Sequence, residues 1–248
     1  MFERVTRISV GICAVIALGL TLIPAGVAVA GICPIPQGSE SVTLDPADFS
    51  GPIDNPYSPM APGARWIYRE TDTSGNAVRI RVVVTTRQKQ ILGIDATVVH
   101  DVATDHGQPV ENTWDWYGQD GCGNVWYLGE DTKAYENGVV VSTAGSWEAG
   151  VNGAQPGVVM LADPQIALSY RQEYYAGEAE DAATVLSLAE QAEVPYGHFS
   201  DVILTKEFTP LHPKALEYKL YAKGVGIVVA LGVSGGSDRE ELIRFVSP

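Results

Sequence analysis

The chain has 248 residues, 46% of them hydrophobic, so it is long enough to bury one sizeable core. Thirty acidic against 16 basic side chains give a formal charge of −14. That excess disfavours nucleic acid and anionic membrane surfaces, which bind through Lys/Arg patches, and leaves cations, neutral sugars and apolar ligands open as partners.

Residues 1–30 read as a signal peptide. Arg4 and Arg7 form a basic start, Ile8 to Ile23 is an apolar run, and Ala28-Val29-Ala30 supplies the small residues that a signal peptidase accepts. The protein is therefore expected to be exported, whether secreted, periplasmic or held at the cell surface. Read through to Ile32, the same run is also long enough to span a bilayer uncleaved. Ile32 stands where lipid attachment to Cys33 would want a small residue. Cleavage removes Cys13 and leaves Cys33 and Cys122, and in an oxidising compartment an even pair closes. A disulfide between Cys33 and Cys122 is expected, and with so long a loop it would stabilise by about 4 kcal/mol. No histidine close in sequence supports Cys122 as a nucleophile.

Residues 31–63 carry Pro34, Pro36, Pro46, Pro52, Pro56, Pro59 and Pro62. Proline lacks the backbone donor that a helix interior or a central strand needs, so this segment reads as an extended strap. Residues 64–248 read as a single β domain. Residues 64–71 and 77–88 alternate in hydrophobicity around the turn Asp72-Thr73-Ser74-Gly75-Asn76 and form a hairpin. Strands follow at 94–104 and 110–117, then from Asn124 to Leu128. Asn137-Gly138 predicts a tight hairpin joining 132–136 to 139–142. The glycine-rich stretch 145–157 reads as loop. Residues 163–193 are ambiguous: Asp163-Pro164 resembles a helix start and 179–193 has high helix propensity, so one or two short helices are expected there, although the same residues also alternate. Four consecutive strands close the chain at 202–208, 216–222, 225–233 and 240–246.

Two stretches carry a resemblance. Val194-Pro195-Tyr196-Gly197-His198-Phe199, followed by Tyr221-Ala222-Lys223-Gly224-Val225-Gly226-Ile227-Val228, resembles a paired pattern of exported bacterial proteins, V-P-x-G-x-F then Y-A-x-G-V-G-x-V. Asp120-Gly121-Cys122-Gly123-Asn124-Val125-Trp126-Tyr127 and Gly145-Ser146-Trp147-Glu148-Ala149-Gly150 look like signatures of a narrower, functionally unassigned group of the same kind. The resemblance implies a strongly curved antiparallel sheet, similar to the open barrel or half-barrel of periplasmic lipoprotein carriers. It moves residues 168–190 toward strand and implies no catalytic residue. The fold class is thus mainly β, a single antiparallel meander.

Between Gln90 and Tyr170 the chain holds eleven carboxylates, one basic residue (Lys133) and four of its five tryptophans. Trp114 and Trp116 share a strand face and are expected to line a concave surface together with Val82 and Val98. Glu111 and Asp115, with Glu130 and Asp131 on a neighbouring strand, could act as acid and base in a glycosidase, although alternation alone predicts a solvated outer face. Asp120 and Asn124 are weak candidates for calcium, in a loop that lacks the full oxygen-ligand pattern and reads as an Asx-rich turn. The four histidines have no zinc spacing, and neither a phosphate loop nor a G-x-S-x-G motif occurs. No cofactor is expected beyond that calcium possibility, and no motif sets an oligomeric state. The leading expectation is an exported binding protein for a lipid or other apolar ligand. The alternatives are a carbohydrate-active or calcium-dependent enzyme using segment 90–170, and a structural surface protein.

Overall fold

The computed structural model describes Cys33 and residues 35–248. The expected signal peptide lies outside the described residues. Cys33 and Cys122 are both disulfide-bonded.

From residue 35 to 64 there is no strand, only one 3-10 turn at Pro46–Phe49, capped by Asp45, whose side chain accepts from Ala47 N at 3.0 Å. The extended stretch is held by polar clamps. Arg171 donates to the carbonyls of Gly38, Glu40 and Pro156. Asn55 donates to the carbonyls of Gly123 (2.9 Å) and Leu161 (3.0 Å). Between these clamps Phe49 and Ile53 are buried, with the Phe49 ring edge-on to Trp126 at 6.5 Å.

The rest is β. In chain order the strands are β1 Arg65–Thr71, β2 Ala77–Ile91, β3 Ile94–Asp105, β4 Gln108–Gln119, β5 Val125–Glu136, β6 Val139–Ser142, β7 Trp147–Glu148 and β8 Gln155–Met160, then β9 Ser169–Arg171, β10 Glu173–Tyr174, β11 Ala182–Val194, β12 Gly197–Phe208, β13 Leu216–Ala222, β14 Gly226–Ser234 and β15 Arg239–Val246. All pairings are antiparallel, in the order β10-β8-β5-β4-β3-β2-β1-β15-β14-β13-β12-β11-β9, with β6 and β7 added to β5. Two meanders therefore meet where the first strand pairs with the last. The path ends at β10 and β9, so hydrogen bonding does not close the sheet.

Bulges bend and twist the sheet. Among them are those between Ile67 and Tyr68, Val84 and Gln88, Trp116 and Tyr117, and three along β11. The curl is such that side chains from β1 to β5 and from β12 to β15 face one common cavity. The Asn137-Gly138 turn behaves as expected, with φ of 51° and 78°, the left-handed pair that a two-residue hairpin needs.

Three expectations change. No helix forms between 163 and 193: residues 163–168 are bends and a turn, and β9, β10 and β11 follow. Ala183 and Val185 are almost fully buried between β9 and β12. Sheet pairing and core burial outweigh a helix preference of a few tenths of a kcal/mol per residue. The stretch 145–157 is not all loop, because β7 lies within it and β8 starts there. The strands expected at 124–128 and 132–136 are one continuous β5, bent at Gly129, whose φ is 130°.

A Cβ on Gly129 would collide with the Trp147 carbonyl. Gly129→Ala is expected to lower unfolding stability by about 1–3 kcal/mol, the usual range for overpacking, measured by urea denaturation. The unreduced, denatured mature chain should show no free thiol at Cys33 or Cys122. Reduction should lower stability by about 4 kcal/mol.

Candidate functional site: an acid-lined cavity inside the sheet

The inward face of the curved sheet surrounds a cavity of about 490 Å³. Strand alternation decides what reaches it. On β4, Asp115 and Tyr117 point in, so Trp114 and Trp116 point out. On β3, Val99 and Asp101 line it; on β2, Ile80, Val82 and Val84; on β1, Trp66 and Tyr68. Eight carboxylates stand in the wall: Asp101, Asp115, Glu130, Glu173, Asp181, Glu207, Glu217 and Glu240. Among the described residues, Lys219 is the only basic one in the lining.

The cross-strand rows give the cavity two sides. Trp66 pairs with Val82, Val82 with Asp101, and Asp101 with Thr113. Val84 pairs with Val99, Val99 with Asp115, and Asp115 with Glu130. Each row is apolar on β1–β2 and becomes polar or acidic toward β3–β5. Strap residues Ser58, Pro59 and Met60 complete the apolar side.

Part of the acidic band is internally satisfied. Glu207, 7% exposed, accepts from Thr205 Oγ1 (3.0 Å), Tyr221 Oη (2.9 Å) and Lys219 Nζ (2.7 Å), and Lys219 also reaches Glu217 at 3.2 Å. Burial works against the Lys219 ammonium, yet Glu207 and Glu217 outweigh it and hold its pKa well above the usual lysine value. Asp115 accepts from Tyr127 Oη at 2.7 Å, and Glu173 from Trp147 Nε1 at 2.8 Å.

Several wall carboxyls, the hydrogen-bonded Asp115 and Glu173 among them, are pushed toward their neutral forms. Burial, helped by the charges of Asp115 and Glu240, raises Asp101 to about 8. Burial and the neighbouring Asp115 and Glu173 raise Glu130 to about 9. Burial and Asp181 raise Glu173 to about 8, against the Trp147 hydrogen bond. Burial raises Glu240 to about 7, opposed by Lys219, and Asp115 to about 6, opposed by the Tyr127 hydroxyl. Two further hollows, of about 260 and 560 Å³, adjoin the acidic end, and Asp181 lines all three spaces.

Of the residues singled out from sequence, Val82 lines the cavity. Trp116 and Val98 belong instead to an apolar cluster with Ile91, Ile94, Trp126 and the strap residues Phe49 and Ile53. Lys89 Nζ sits 3.3 Å from the centre of the Trp116 ring. Trp114 packs at the edge of that cluster and stacks on His100 at 3.8 Å. The four residues are therefore not brought together. Asp115 and Glu130 are brought together across β4 and β5 at the cavity wall, whereas Glu111 and Asp131 are absent from the lining and Asp131 pairs with Lys133 at 2.7 Å.

Asp120 and Asn124 fix the loop that carries Cys122. Asp120 Oδ1 accepts from Cys122 N (3.0 Å) and Asn124 N (2.9 Å), while Oδ2 accepts from Asn124 Nδ2 (3.0 Å) and Trp126 Nε1 (2.8 Å). Asn124 Oδ1 accepts from Ala162 N at 2.9 Å. A cation at these oxygens would have to displace those donors. Sequence reasoning missed Glu173, Asp181, Glu207, Glu217, Lys219 and Glu240. The only signal was the i, i+2 spacing of Glu217, Lys219 and Tyr221, which equally describes a solvated strand face.

No protein-family model matches the chain, and no curated protein does. Solved structures resemble it weakly. A Bacteroides fragilis protein, described as exported and YmcC-like in fold, is 13% identical with a TM-score of 0.45, covering 77% of this chain and 99% of its own. A Parabacteroides distasonis protein described as a lipoprotein is 12% identical at a TM-score of 0.42, covering 77% and 98%. A β-barrel-like Brucella abortus protein of the domain of unknown function DUF1849 is 13% identical at 0.38, covering 73% and 96%.

The raised carboxyls make stability depend on pH. Each binds its proton more tightly folded than unfolded, so the folded state holds more protons from the ordinary carboxyl range up to the raised values, about 6 to 9. Stability should fall as pH rises through that window. The thermal midpoint is expected to be higher near pH 5 than near pH 9, by scanning calorimetry; the opposite slope would contradict a buried acidic wall.

Proposed function

We propose that this chain is an exported binding protein that holds a small ligand inside its curved sheet. The observation that carries this reading is the cavity, bounded by side chains from both meanders and by the strap. Concave sites of several hundred cubic ångströms, with apolar walls and a few converging polar groups, are where small ligands are held. Export rests on the leader sequence of residues 1–30. The apolar side, formed by Met60, Trp66, Ile80, Val82, Val84 and Val99, suits a hydrocarbon or ring system. The acidic side departs from a purely apolar pocket, so the ligand is not a plain hydrocarbon chain.

A second reading draws on Asp115 and Glu130, paired across neighbouring strands with raised pKa values. A carboxyl kept neutral near pH 7 is what a general acid in glycoside hydrolysis needs. Sugar turnover that is lost on Glu130→Gln would support it.

The binding reading is tested with Nile red, a neutral apolar dye, added to the mature chain. One saturable site with enhanced fluorescence is expected. Val82→Trp, which fills the apolar side, should weaken binding at least tenfold while retaining a cooperative thermal transition. Unchanged dye binding in that variant would place the site elsewhere.

A further inference from the structure

We propose that the ligand of this cavity is an amphiphilic organic cation, with an ammonium or guanidinium head against the acidic band and an apolar body against β1–β2. This rests on the binding reading above and names the chemistry of the same site.

Charge balance is the first ground. Eight carboxylates face one lysine, and that lysine is already engaged by Glu207 and Glu217. The rest of the band therefore has no cation of its own in the lining.

Unmet hydrogen bonding is the second ground. Among the described residues, neither Asp101 nor Glu240 accepts a hydrogen bond from a side chain or joins an ion pair, although both line the cavity. Asp115, 9% exposed, takes one such bond, from Tyr127 at 2.7 Å. Asp101 and Glu240 are partly buried and keep some surface open; a ligand that brings N–H groups or positive charge supplies the partners they lack.

Aromatic faces are the third ground. Tyr117 and Tyr127 stack at 4.9 Å beside Asp115, and Trp66, Tyr68 and Tyr221 also line the space. Such faces attract organic cations once water is excluded. They also separate an organic cation from a bare metal ion, which would gain little from the apolar half of the wall.

The raised pKa values of the cavity carboxyls are consistent with this occupant. Raised carboxyls such as Asp101 and Glu130 are largely protonated at neutral pH. A cation entering beside them favours the charged forms, so binding should expel protons.

The test is isothermal titration of the mature chain near pH 7 with decylamine, decanoate and spermidine, each below micelle-forming concentration, in two buffers of different ionisation enthalpy. Decylammonium is expected to bind at least tenfold more tightly than decanoate and to release protons. The double variant Asp101→Asn with Glu240→Gln should lose that preference while still binding Nile red. Equal affinity for decylamine and decanoate would leave the binding reading standing and overturn the cationic head. Binding of spermidine without decylamine would overturn the apolar body. If no probe binds, Nile red included, the binding reading itself falls.

Discussion

The pairing of β1 with β15 holds the two meanders together as one sheet. Arg65 to Thr71 runs against Arg239 to Val246, with Trp66 on Phe245 at a ring separation of 5.1 Å. The inward side chains of β1 reinforce the seam: Trp66 Nε1 donates to the Val225 carbonyl at 2.7 Å and Tyr68 Oη to that of Ile227 at 3.1 Å. Leu242 behind them is fully buried. Without this seam the apolar rows of β1–β2 and the Lys219–Glu207 network of β12–β13 would belong to separate sheets. The common cavity exists because residues from the two ends of the sequence meet there.

A curved sheet has two faces to satisfy, and this one does so differently on each. The outer face of β3–β5 is covered by the strap, whose Phe49 and Ile53 bury Trp116, Trp126 and Ile94 in an apolar cluster. Prolines suit the strap because it needs few backbone donors, and Arg171 and Asn55 satisfy the carbonyls at its docking points. The inner face keeps an open space and lines half of it with acid. Carboxyls this deep are tolerated in two ways. Glu207 is fully coordinated by Thr205, Lys219 and Tyr221. Asp101 and Glu130 hold their protons. Carboxyls held in this way make the stability of the fold depend on pH.

Much of the fold was legible in the sequence. The first hairpin, the turn at Asn137-Gly138 and the four C-terminal strands follow from period-two alternation and turn chemistry, which are local properties. Residues 163–193 were not legible, because helix propensity and strand alternation pointed in opposite directions. Burial of Ala183 and Val185 between two neighbouring strands decided the matter. The site was the less legible part. Trp114, Trp116 and Val98 looked like the lining of a concave face, and the carboxylates between the tryptophans like its solvated back.

By itself the sequence determined most strands and turns outside residues 145–193, and the division of β4 into a tryptophan face and a carboxylate face. Alternation requires adjacent side chains to lie on opposite sides of a strand; it does not say toward which side the sheet will curl. That was decided by the bulges, by the strap covering the tryptophan side, and by the β1–β15 seam, all of which join residues far apart in the chain. The curl turned the acidic face of β4 inward, where it meets Lys219, Glu207 and Glu240 from the other end of the chain.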